Sequence, residues 1–493
     1  MTDSDPVLVI GGGLAGVGCA HRLGDEGHEV VLLDRNDYHQ FQPLLYQVAT
    51  SQLPAEDIAR PHRSIFRDYP AVETVTSRVT KVSLIDRIVQ LEDGRSLAGS
   101  HVVMAVGARP NFFGTPGAAE HAFPLYSVAD AERLRLHLRD LLAQVAAGAG
   151  PDDVPLDVVV VGGGPTGVEI AGAVTELMEA LHKHGRILSP GRVVLVDRAD
   201  TVLGAFSERS RRYATKKLAH ATVDLRLGAG VSAVHPDRVE LTDGSRIRTR
   251  TVVWGGGESA AELAADCGPE PGRGGRLDVQ SDLGVPGFPG AYAVGDVANI
   301  PDASGVPLPQ LGSVAQQSGI WAADNIMREK AGRPTKPFHY KDKGIMAMIG
   351  RNAAVAEVGK RRHQVDGPVA FAAWLGVHAA LLSGAHSKTD AFLSWAWDYF
   401  DRDHAATVEV SADPARIAWG DEEADRPHLD LGPPGRSGTG GHLTAPAVPT
   451  PWRRGGSHDR PVRRDHHRVR GRRRHAGAPL GPVRQADPAP RAR

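Results

Sequence analysis

Two glycine-rich segments of the sequence have the spacing of a dinucleotide-binding turn. Gly11, Gly13 and Gly16 follow the apolar run Val7–Ile10, and Asp34 ends the next apolar run. In a GxGxxG turn, backbone N–H groups and a helix N-terminus approach a pyrophosphate, while the acidic residue binds ribose hydroxyls. A strand, a tight turn, a helix and a second strand must position these groups, so we predict a βαβ unit.

The same pattern recurs in the middle of the chain. The glycines of the second turn are Gly162, Gly164 and Gly167. They follow the run Val158–Val161, and Asp197 ends the next predicted strand. Two such units predict an α/β fold with two Rossmann-like domains and two cofactors. Asp197 would repel a 2′-phosphate and so favours NADH, although the neighbouring Arg198 leaves some use of NADPH open.

Composition excludes several classes of protein. The 493 residues include only two cysteines, Cys19 and Cys267, which excludes iron–sulfur clusters and CxxC or CxxxxC redox disulfides. No metal-ligand spacing such as HExxH appears, so no metal site is predicted. The chain before residue 431 has a formal charge of −12, which argues against nucleic acid as a partner. The first residues lack the basic region of a secretory signal, so we expect a cytoplasmic body.

The order of these motifs resembles that of flavoproteins with two dinucleotide sites. In such proteins the first site holds FAD and a later Gly-Asp pair closes it, as Gly295 and Asp296 would here. Gly107 lies in a segment similar to the crossover of that family. The resemblance implies an FAD-binding domain at 1–147 and 286–345 and an NADH-binding domain at 156–285, joined near the Gly- and Pro-rich residues 148–155.

The stretch Asn36–Thr50 lies where related reductases carry redox cysteines. It closely resembles the stretch after the FAD ribose acid in type II NADH dehydrogenases, the single-subunit NADH:quinone oxidoreductases. Other similar segments are Asn111–Gly114, Gly162–Gly172, Thr251–Trp254, Lys343–Gly350 and Trp395–Phe400. The resemblance covers residues 6–420. It implies transfer of two electrons from NADH through FAD to a membrane quinone, menaquinone or ubiquinone, without proton pumping.

The resemblance also implies three residues near the reacting groups. Glu169 would lie at the nicotinamide–flavin interface, where a helix N-terminus stabilises a carboxylate, or would simply be a charge near the helix start. Gln317 and Lys343 would approach the quinone end of the isoalloxazine, or would be surface residues. A lysine there would stabilise anionic reduced flavin. Residues 312–319 lack the first Ala-Gln pair usual at the family's quinone site, which leaves the identity of the quinone open.

The region 346–425 differs in composition from the rest of the chain. Val369–Ala385 carries no formal charge, and seven aromatic residues fall between Phe371 and Phe400. These aromatic residues either pack against the body or a second subunit, or contact lipid headgroups. A 17-residue helix is about 25 Å long, shorter than the roughly 30 Å hydrocarbon core. We therefore expect a membrane-associating region that lies flat, and a peripheral protein on the cytoplasmic face of the membrane.

Residues 431–493 form a basic tail with fourteen arginines and no lysine. One interpretation is a basic arm for anionic lipid. When back-translated and read one base forward, however, the tail permits the strand, glycine turn and helix that open another flavoprotein. We therefore favour a frameshift into a downstream gene, which would leave a disordered tail.

Two other functions remain open from the sequence. A soluble NADH-dependent ferredoxin or rubredoxin reductase shares both βαβ units but does not need the aromatic carboxy-terminal block. A non-enzymatic flavin-bearing redox sensor would use that block as an interface with a partner protein. Whether the protein forms a homodimer is open from the sequence.

Overall fold

The computed structural model describes residues 5–359 and 361–381. All of them belong to one compact unit. The aromatic block Trp395–Phe400 and the tail 431–493 lie outside the described residues, as does the greater part of the expected membrane-associating region.

Ten α-helices fall within the described residues. In chain order they are α1 (Leu14–Asp25), α2 (Leu45–Ala49), α3 (Ala55–Ile58), α4 (His62–Ile65), α5 (Ala118–His121), α6 (Val128–Ala146), α7 (Pro165–Lys183), α8 (Glu208–His220), α9 (Gly312–Lys330) and α10 (Pro368–Leu381). Short 3-10 turns cover Gln42–Leu44, Glu262–Ala264, Arg273–Gly275 and Gly295–Val297.

The same part of the chain forms 25 strands. They are β1 (Val7–Ile10), β2 (Val30–Asp34), β3 (Tyr38–Gln40), β4 (Ala59–Pro61), β5 (Val72–Thr76), β6 (Val79–Ser83), β7 (Ile88–Leu91), β8 (Ser96–Ala98), β9 (His101–Met104), β10 (Ala108–Pro110), β11 (Ala122–Pro124), β12 (Val158–Val161), β13 (Val193–Asp197), β14 (Asp224–Leu227), β15 (Val231–Val234), β16 (Arg238–Leu241), β17 (Arg246–Arg248), β18 (Thr251–Trp254), β19 (Glu258–Ala260), β20 (Leu277–Asp278), β21 (Ala291–Ala293), β22 (Ala298–Asn299), β23 (Gly344–Gly350), β24 (Ala353–Val358) and β25 (His363–Asp366).

The first parallel sheet has the strand order β21-β9-β1-β2-β5. Strands β1 and β9 are buried along their whole length, which is why they show an unbroken apolar run rather than alternation. Helix α1 connects β1 to β2, and α9 packs along α1. The two helices approach so closely that the backbone oxygen of Ala15 occupies the space where a side chain at Gly319 would lie.

The second parallel sheet has the strand order β11-β18-β12-β13-β14. Its central strand β12 consists of four buried valines, and α7 connects it to β13. A three-stranded antiparallel meander is inserted in the sequence of each parallel sheet, β6-β7-β8 between β5 and β9 of the first and β15-β16-β17 between β14 and β18 of the second. The expected α/β fold with two dinucleotide-type sheets is therefore confirmed.

The chain crosses between the two sheets at β10 and β19, which pair with each other. Residues 122–146, expected in the first domain, instead pack with the second sheet through β11 and α6. Residues 260–285, expected in the second, contribute to the core of the first sheet. The expected boundaries at 147 and 286 followed loop composition and the glycine motifs, and β11 has only three residues, too few to show a strand pattern.

A third, antiparallel sheet has the order β23-β24-β25. Gly172 on α7 leaves room for the backbone oxygen of Ile349, so β23 lies directly against that helix. The carboxylate of Glu357 accepts hydrogen bonds from the Ser207 N–H at 2.7 Å and from the Ser210 hydroxyl at 2.8 Å. Glu357 thereby supplies the cap of α8 from a distant strand and fixes the third sheet beside the second.

Residues 38–59, between β2 and β5, pack in the core of the second sheet. Tyr38, Phe41 and Tyr46 share one core with Ile170 of α7 and Ala347 of β23. The segment that most resembles the family therefore forms part of the contact between the two halves of the molecule. No helix in the described part of the chain has both the length and the apolar character that a membrane span requires.

Candidate functional site

The first glycine turn joins the end of β1 to the start of α1. Gly11 has a φ of +104°, and the carbonyl of Ala105 lies where a side chain would be. The carbonyl of Gly11 in turn lies against Gly16, which keeps α1 close to the strand. A side chain at Gly13 would meet no protein atom within 4 Å, so this stretch of backbone is open to a ligand. These are the three roles that glycines have in a pyrophosphate-binding turn.

Asp34 is fixed at the end of β2 by backbone groups. Its carboxylate accepts hydrogen bonds from the N–H groups of Gly12 and of Asn36, the latter at 2.8 Å. Two buried histidines contact the carbonyl oxygen of Gly12, His39 at 2.8 Å and His62 at 3.3 Å. Burial lowers the pKa of His39 to about 4, so this ring is neutral and donates its N–H. No spacing in the sequence connects either histidine with the turn.

The second glycine turn repeats this geometry. Gly162 has a φ of +108° and lies against the carbonyl of Gly255, while Gly167 lies against the carbonyl of Gly162. A side chain at Gly164 would again meet no protein atom within 4 Å. The carboxylate of Asp197 accepts hydrogen bonds from the N–H groups of Gly163 and Ala199. Both predicted turns therefore place their aspartate at the same position relative to the glycines.

Gly107 and Asp296 each follow a residue that lies against the first βαβ unit, since Val106 lies beside Gly11 and Gly295 beside Ala15. Both segments also make contacts that the sequence did not show. The Tyr126 hydroxyl accepts a hydrogen bond from the N–H of Ala108 at 2.8 Å, directly after Gly107. The Gln310 amide donates to the backbone oxygen of Asp296 at 3.2 Å. Burial raises the pKa of the Asp296 carboxyl to about 6, and Arg276 acts in the opposite direction.

A cleft of about 270 Å³ lies where the two sheets meet. Its lining residues come from both halves of the molecule and are Pro110, Leu125, Tyr126, Thr166, Trp254, Gly255, Gly257, Glu258 and Gln310. Thr166 belongs to the second glycine turn, whereas Tyr126 and Gln310 contact the segments of Gly107 and Asp296. The cleft therefore extends from the second glycine turn to the segments of Gly107 and Asp296. Of its residues, Tyr126, Glu258 and Gln310 were not predicted, although Glu258 follows the carboxyl end of a parallel strand, where ligands bind.

Glu169 lies in the second turn of α7 and points toward the third sheet. Its carboxyl accepts a hydrogen bond from the N–H of Met348 at 3.2 Å and another from the Trp374 side chain. Burial nevertheless raises its pKa to about 8, so the group is protonated at neutral pH. Desolvation by β23 and α10 therefore outweighs the expected stabilisation of a carboxylate by the helix N-terminus and favours the neutral acid.

Lys343 lies on the chain segment that leads into β23, and Gln317 of α9 contacts that segment. The Gln317 amide donates to the backbone oxygen of Lys341 at 3.1 Å and accepts from its N–H at 3.0 Å. Lys343 is exposed and precedes β23. Met348, the partner of Glu169, follows it by five residues, or about 16 Å of extended strand. The structure thus brings Gln317 of α9 next to the segment of Lys343. Glu169 of α7 lies further along, beside Met348 of β23.

Neither metal nor thiol chemistry has a visible basis in the described residues. No group of His, Cys, Asp and Glu side chains there could hold a metal ion. Cys19 and Cys267 are both buried and form no disulfide. Burial raises the pKa of Cys19 to about 12 and that of Cys267 to about 11, so both remain protonated and unreactive thiols.

Known proteins share these features. The family described as pyridine nucleotide-disulphide oxidoreductase matches residues 5–319. A type II NADH:quinone oxidoreductase of Mycobacterium tuberculosis is 34% identical over 408 residues, which cover 79% of this chain and 87% of that protein. One of Staphylococcus aureus is 30% identical over 365 residues, with 72% and 90% covered. The fold of Plasmodium falciparum NDH2, solved in complex with NADH, matches with a TM-score of 0.74 at 17% identity and covers 82% of this chain and 100% of that one. The chain therefore belongs to the type II NADH:quinone oxidoreductases of the pyridine nucleotide-disulphide oxidoreductase family.

Proposed function

We propose that this protein is an FAD-dependent enzyme that transfers two electrons from NADH to a membrane quinone without pumping protons. The observation that carries the proposal is the cleft between the second glycine turn and the segments of Gly107 and Asp296, where the reacting ends of two dinucleotides would meet. The names of the relatives from M. tuberculosis and S. aureus support quinone as the acceptor.

The first turn fits FAD because its backbone is open at Gly13 and its aspartate is already oriented. The residues proposed to hold FAD are Gly11, Gly13, Gly16, Asp34, Gly107 and Asp296. Those proposed to hold NADH are Gly162, Gly164, Gly167 and Asp197. When bound, FAD accepts a hydride from NADH and passes two electrons to the quinone. The domains proposed for the two dinucleotides are the ones that carry the first and second parallel sheets.

The protein's own residues would orient the reactants and handle protons. Reduction of a quinone consumes two protons, and the Glu169 carboxyl holds one at neutral pH. Gln317 uses one amide hydrogen on the Lys341 carbonyl, and its second could donate to a quinone oxygen. Lys343 adds a positive charge at the same end of the strand, where negative charge would develop during reduction.

We propose that the protein binds the cytoplasmic face of the membrane through α10 and the residues after it. One face of α10 is buried and includes Ala370 and Trp374. The opposite face is exposed and apolar, with Val369 69% and Val377 41% exposed and Ala373 between them. An exposed apolar face on a helix too short to span suits attachment parallel to the membrane surface.

The test compares electron acceptors for the purified, FAD-loaded protein. Steady oxidation of NADH by quinone analogues, stimulated by liposomes, would support the proposal. Turnover with ferredoxin or rubredoxin but not with quinones would favour the soluble reductase instead. Stoichiometric reduction by NADH without turnover with any acceptor would favour a redox sensor.

A further inference from the structure

Glu258 is a carboxyl residue of the cleft to which the proposed function gives no role. It begins β19, where it pairs with Pro110 of β10. Three glycines separate it from Trp254, the last residue of β18. Glu258 therefore lies at the carboxyl edge of the second sheet, facing the cleft together with Thr166 of the second glycine turn.

The strand order indicates which end of NADH would reach this residue. Asp197 ends β13 on one side of β12, whereas Glu258 follows β18 on the other side. A dinucleotide bound at such a sheet spreads its two halves across the central glycine turn. If Asp197 binds the adenosine ribose, the nicotinamide half extends toward β18 and into the cleft.

Few charged or polar groups lie near Glu258. Asp296 and the Tyr126 hydroxyl face it from other elements of the cleft. Arg109, its neighbour on β10, is paired with Glu262 instead. Among the described residues, none donates a hydrogen bond to Glu258 or forms an ion pair with it. Glu258 is exposed to solvent within the cleft, and partial desolvation there together with the nearby Asp296 raises its pKa to about 7. An incoming positive charge would favour the ionised form.

We propose that the Glu258 carboxylate lies beside the nicotinamide ring and stabilises the positive charge that the ring acquires when the hydride leaves. This inference rests on the proposed function. The hydride carries one hydrogen and two electrons from C4 of the neutral dihydronicotinamide to the flavin, and the ring left behind is a cation. A carboxylate attracts that cation and the transition state leading to it, but gains little from the neutral reactant.

The test measures how Glu258 affects the binding of the charged and the neutral ring. Dissociation constants of NAD⁺ and of the neutral, redox-inert 1,4,5,6-tetrahydro-NADH are determined calorimetrically with FAD-loaded protein at pH 6 and pH 8.5. The unsubstituted protein should bind NAD⁺ about fivefold more tightly at pH 8.5 than at pH 6, because Glu258 ionises in this interval. In Glu258→Gln, the affinity for NAD⁺ at pH 8.5 should fall about fivefold, while that for the neutral analogue changes less than about twofold.

Matched variants separate this role from general effects. Glu270→Gln removes an exposed carboxylate in the same segment and should leave both affinities unchanged. Glu258→Asp keeps the charge and should retain most of the pH dependence, which also guards against misfolding of the glutamine variant.

Two results would overturn the inference. Equal effects of Glu258→Gln on both ligands, or no effect on NAD⁺, would do so while leaving the proposed function intact, provided that the unsubstituted protein oxidises NADH with quinone. Absence of that turnover would contradict the proposed function and with it the inference.

Discussion

The Glu169 carboxyl accepts a hydrogen bond from the backbone N–H of Met348, which joins helix α7 to strand β23 at 3.2 Å. The Tyr46 hydroxyl donates a hydrogen bond to the sulfur of the same Met348 at 3.1 Å. The rings of Tyr46 and Trp374 pack edge to face, with their centroids 6.3 Å apart. The carboxyl is therefore surrounded by three segments distant in sequence. Burial among these segments raises the pKa of Glu169. The result is a neutral acid beside β23, the strand that Lys343 precedes.

We predict that Glu169 makes stability fall as the pH rises. Its folded-state pKa of about 8 lies above the ordinary value of 4.5, so the native state retains a proton that the unfolded state releases. The stabilisation is complete below pH 4.5 and is lost as the pH rises toward 8, by at most about 1.4 kcal/mol per pH unit. Glu169→Gln should therefore flatten the dependence of the unfolding free energy on pH in urea titrations.

The control for this measurement is Glu179→Gln, an exposed carboxylate on the same helix. Its curve should run parallel to that of the unsubstituted protein between pH 5 and pH 8. A parallel curve for Glu169→Gln as well would show that Glu169 ionises normally in the folded protein.

Gly13→Ala and Gly164→Ala should each weaken the binding of one dinucleotide, FAD in the first variant and NADH in the second. Neither glycine has a positive φ, and an added methyl group would meet no protein atom within 4 Å at either position. Both variants should fold. The methyl group would instead crowd a pyrophosphate at a cost of about 1–3 kcal/mol, which corresponds to a loss of affinity of about fivefold to 150-fold.

Flavin content and kinetics distinguish the two sites. Gly13→Ala should be purified with less FAD, whereas Gly164→Ala should keep its FAD and show a raised KM for NADH. If instead Gly164→Ala lost FAD and Gly13→Ala raised the KM for NADH, the assignment of the two dinucleotides to the two turns would be reversed.

Asp197→Asn should shift the preference from NADH toward NADPH. The substitution removes the charge that repels a 2′-phosphate and leaves the cation of Arg198 beside the site. We expect the ratio of kcat/KM for NADPH to that for NADH to rise about tenfold. The variant should also lose about 1 kcal/mol of stability, because an amide has one oxygen for the two backbone donors of Gly163 and Ala199. Asp200→Asn, an exposed neighbour, serves as the control, and an equal shift in both variants would exclude a specific role for Asp197.

Val369→Asp with Val377→Asp should weaken membrane attachment. Each buried valine contributes about 1.5–3 kcal/mol, and a charge in its place must stay in water. The bound fraction should drop in liposome co-sedimentation while the kcat with a water-soluble quinone stays unchanged. Leu188→Asp, at a side chain 94% exposed outside α10, should sediment like the unsubstituted protein. Unaltered sedimentation of the double variant would place the attachment elsewhere.

The two glycine turns could be predicted from sequence because each depends on short stretches of chain. The conformation of Gly11, the packing of Gly16 and the position of Asp34 follow from one βαβ unit, and the family resemblance rested on equally local motifs. That resemblance is confirmed by the relatives.

The cleft and the protonation of Glu169 could not be predicted, because both depend on distant segments. Tyr126 and Glu258 meet only because the chain crosses between the sheets at β10 and β19. Glu169 is neutral because segments distant in sequence bury it, and its own neighbours in the sequence do not indicate that burial.

Electron transfer from NADH to quinone tests the central claim most directly. FAD-loaded protein is mixed with NADH and menaquinone or ubiquinone analogues, with and without liposomes, and NADH consumption is followed at 340 nm alongside quinol formation. We predict sustained turnover with one quinol formed per NADH oxidised. A protein that is purified without colour and cannot be reconstituted with FAD, or one that is reduced by NADH but passes no electrons to any quinone, would contradict it.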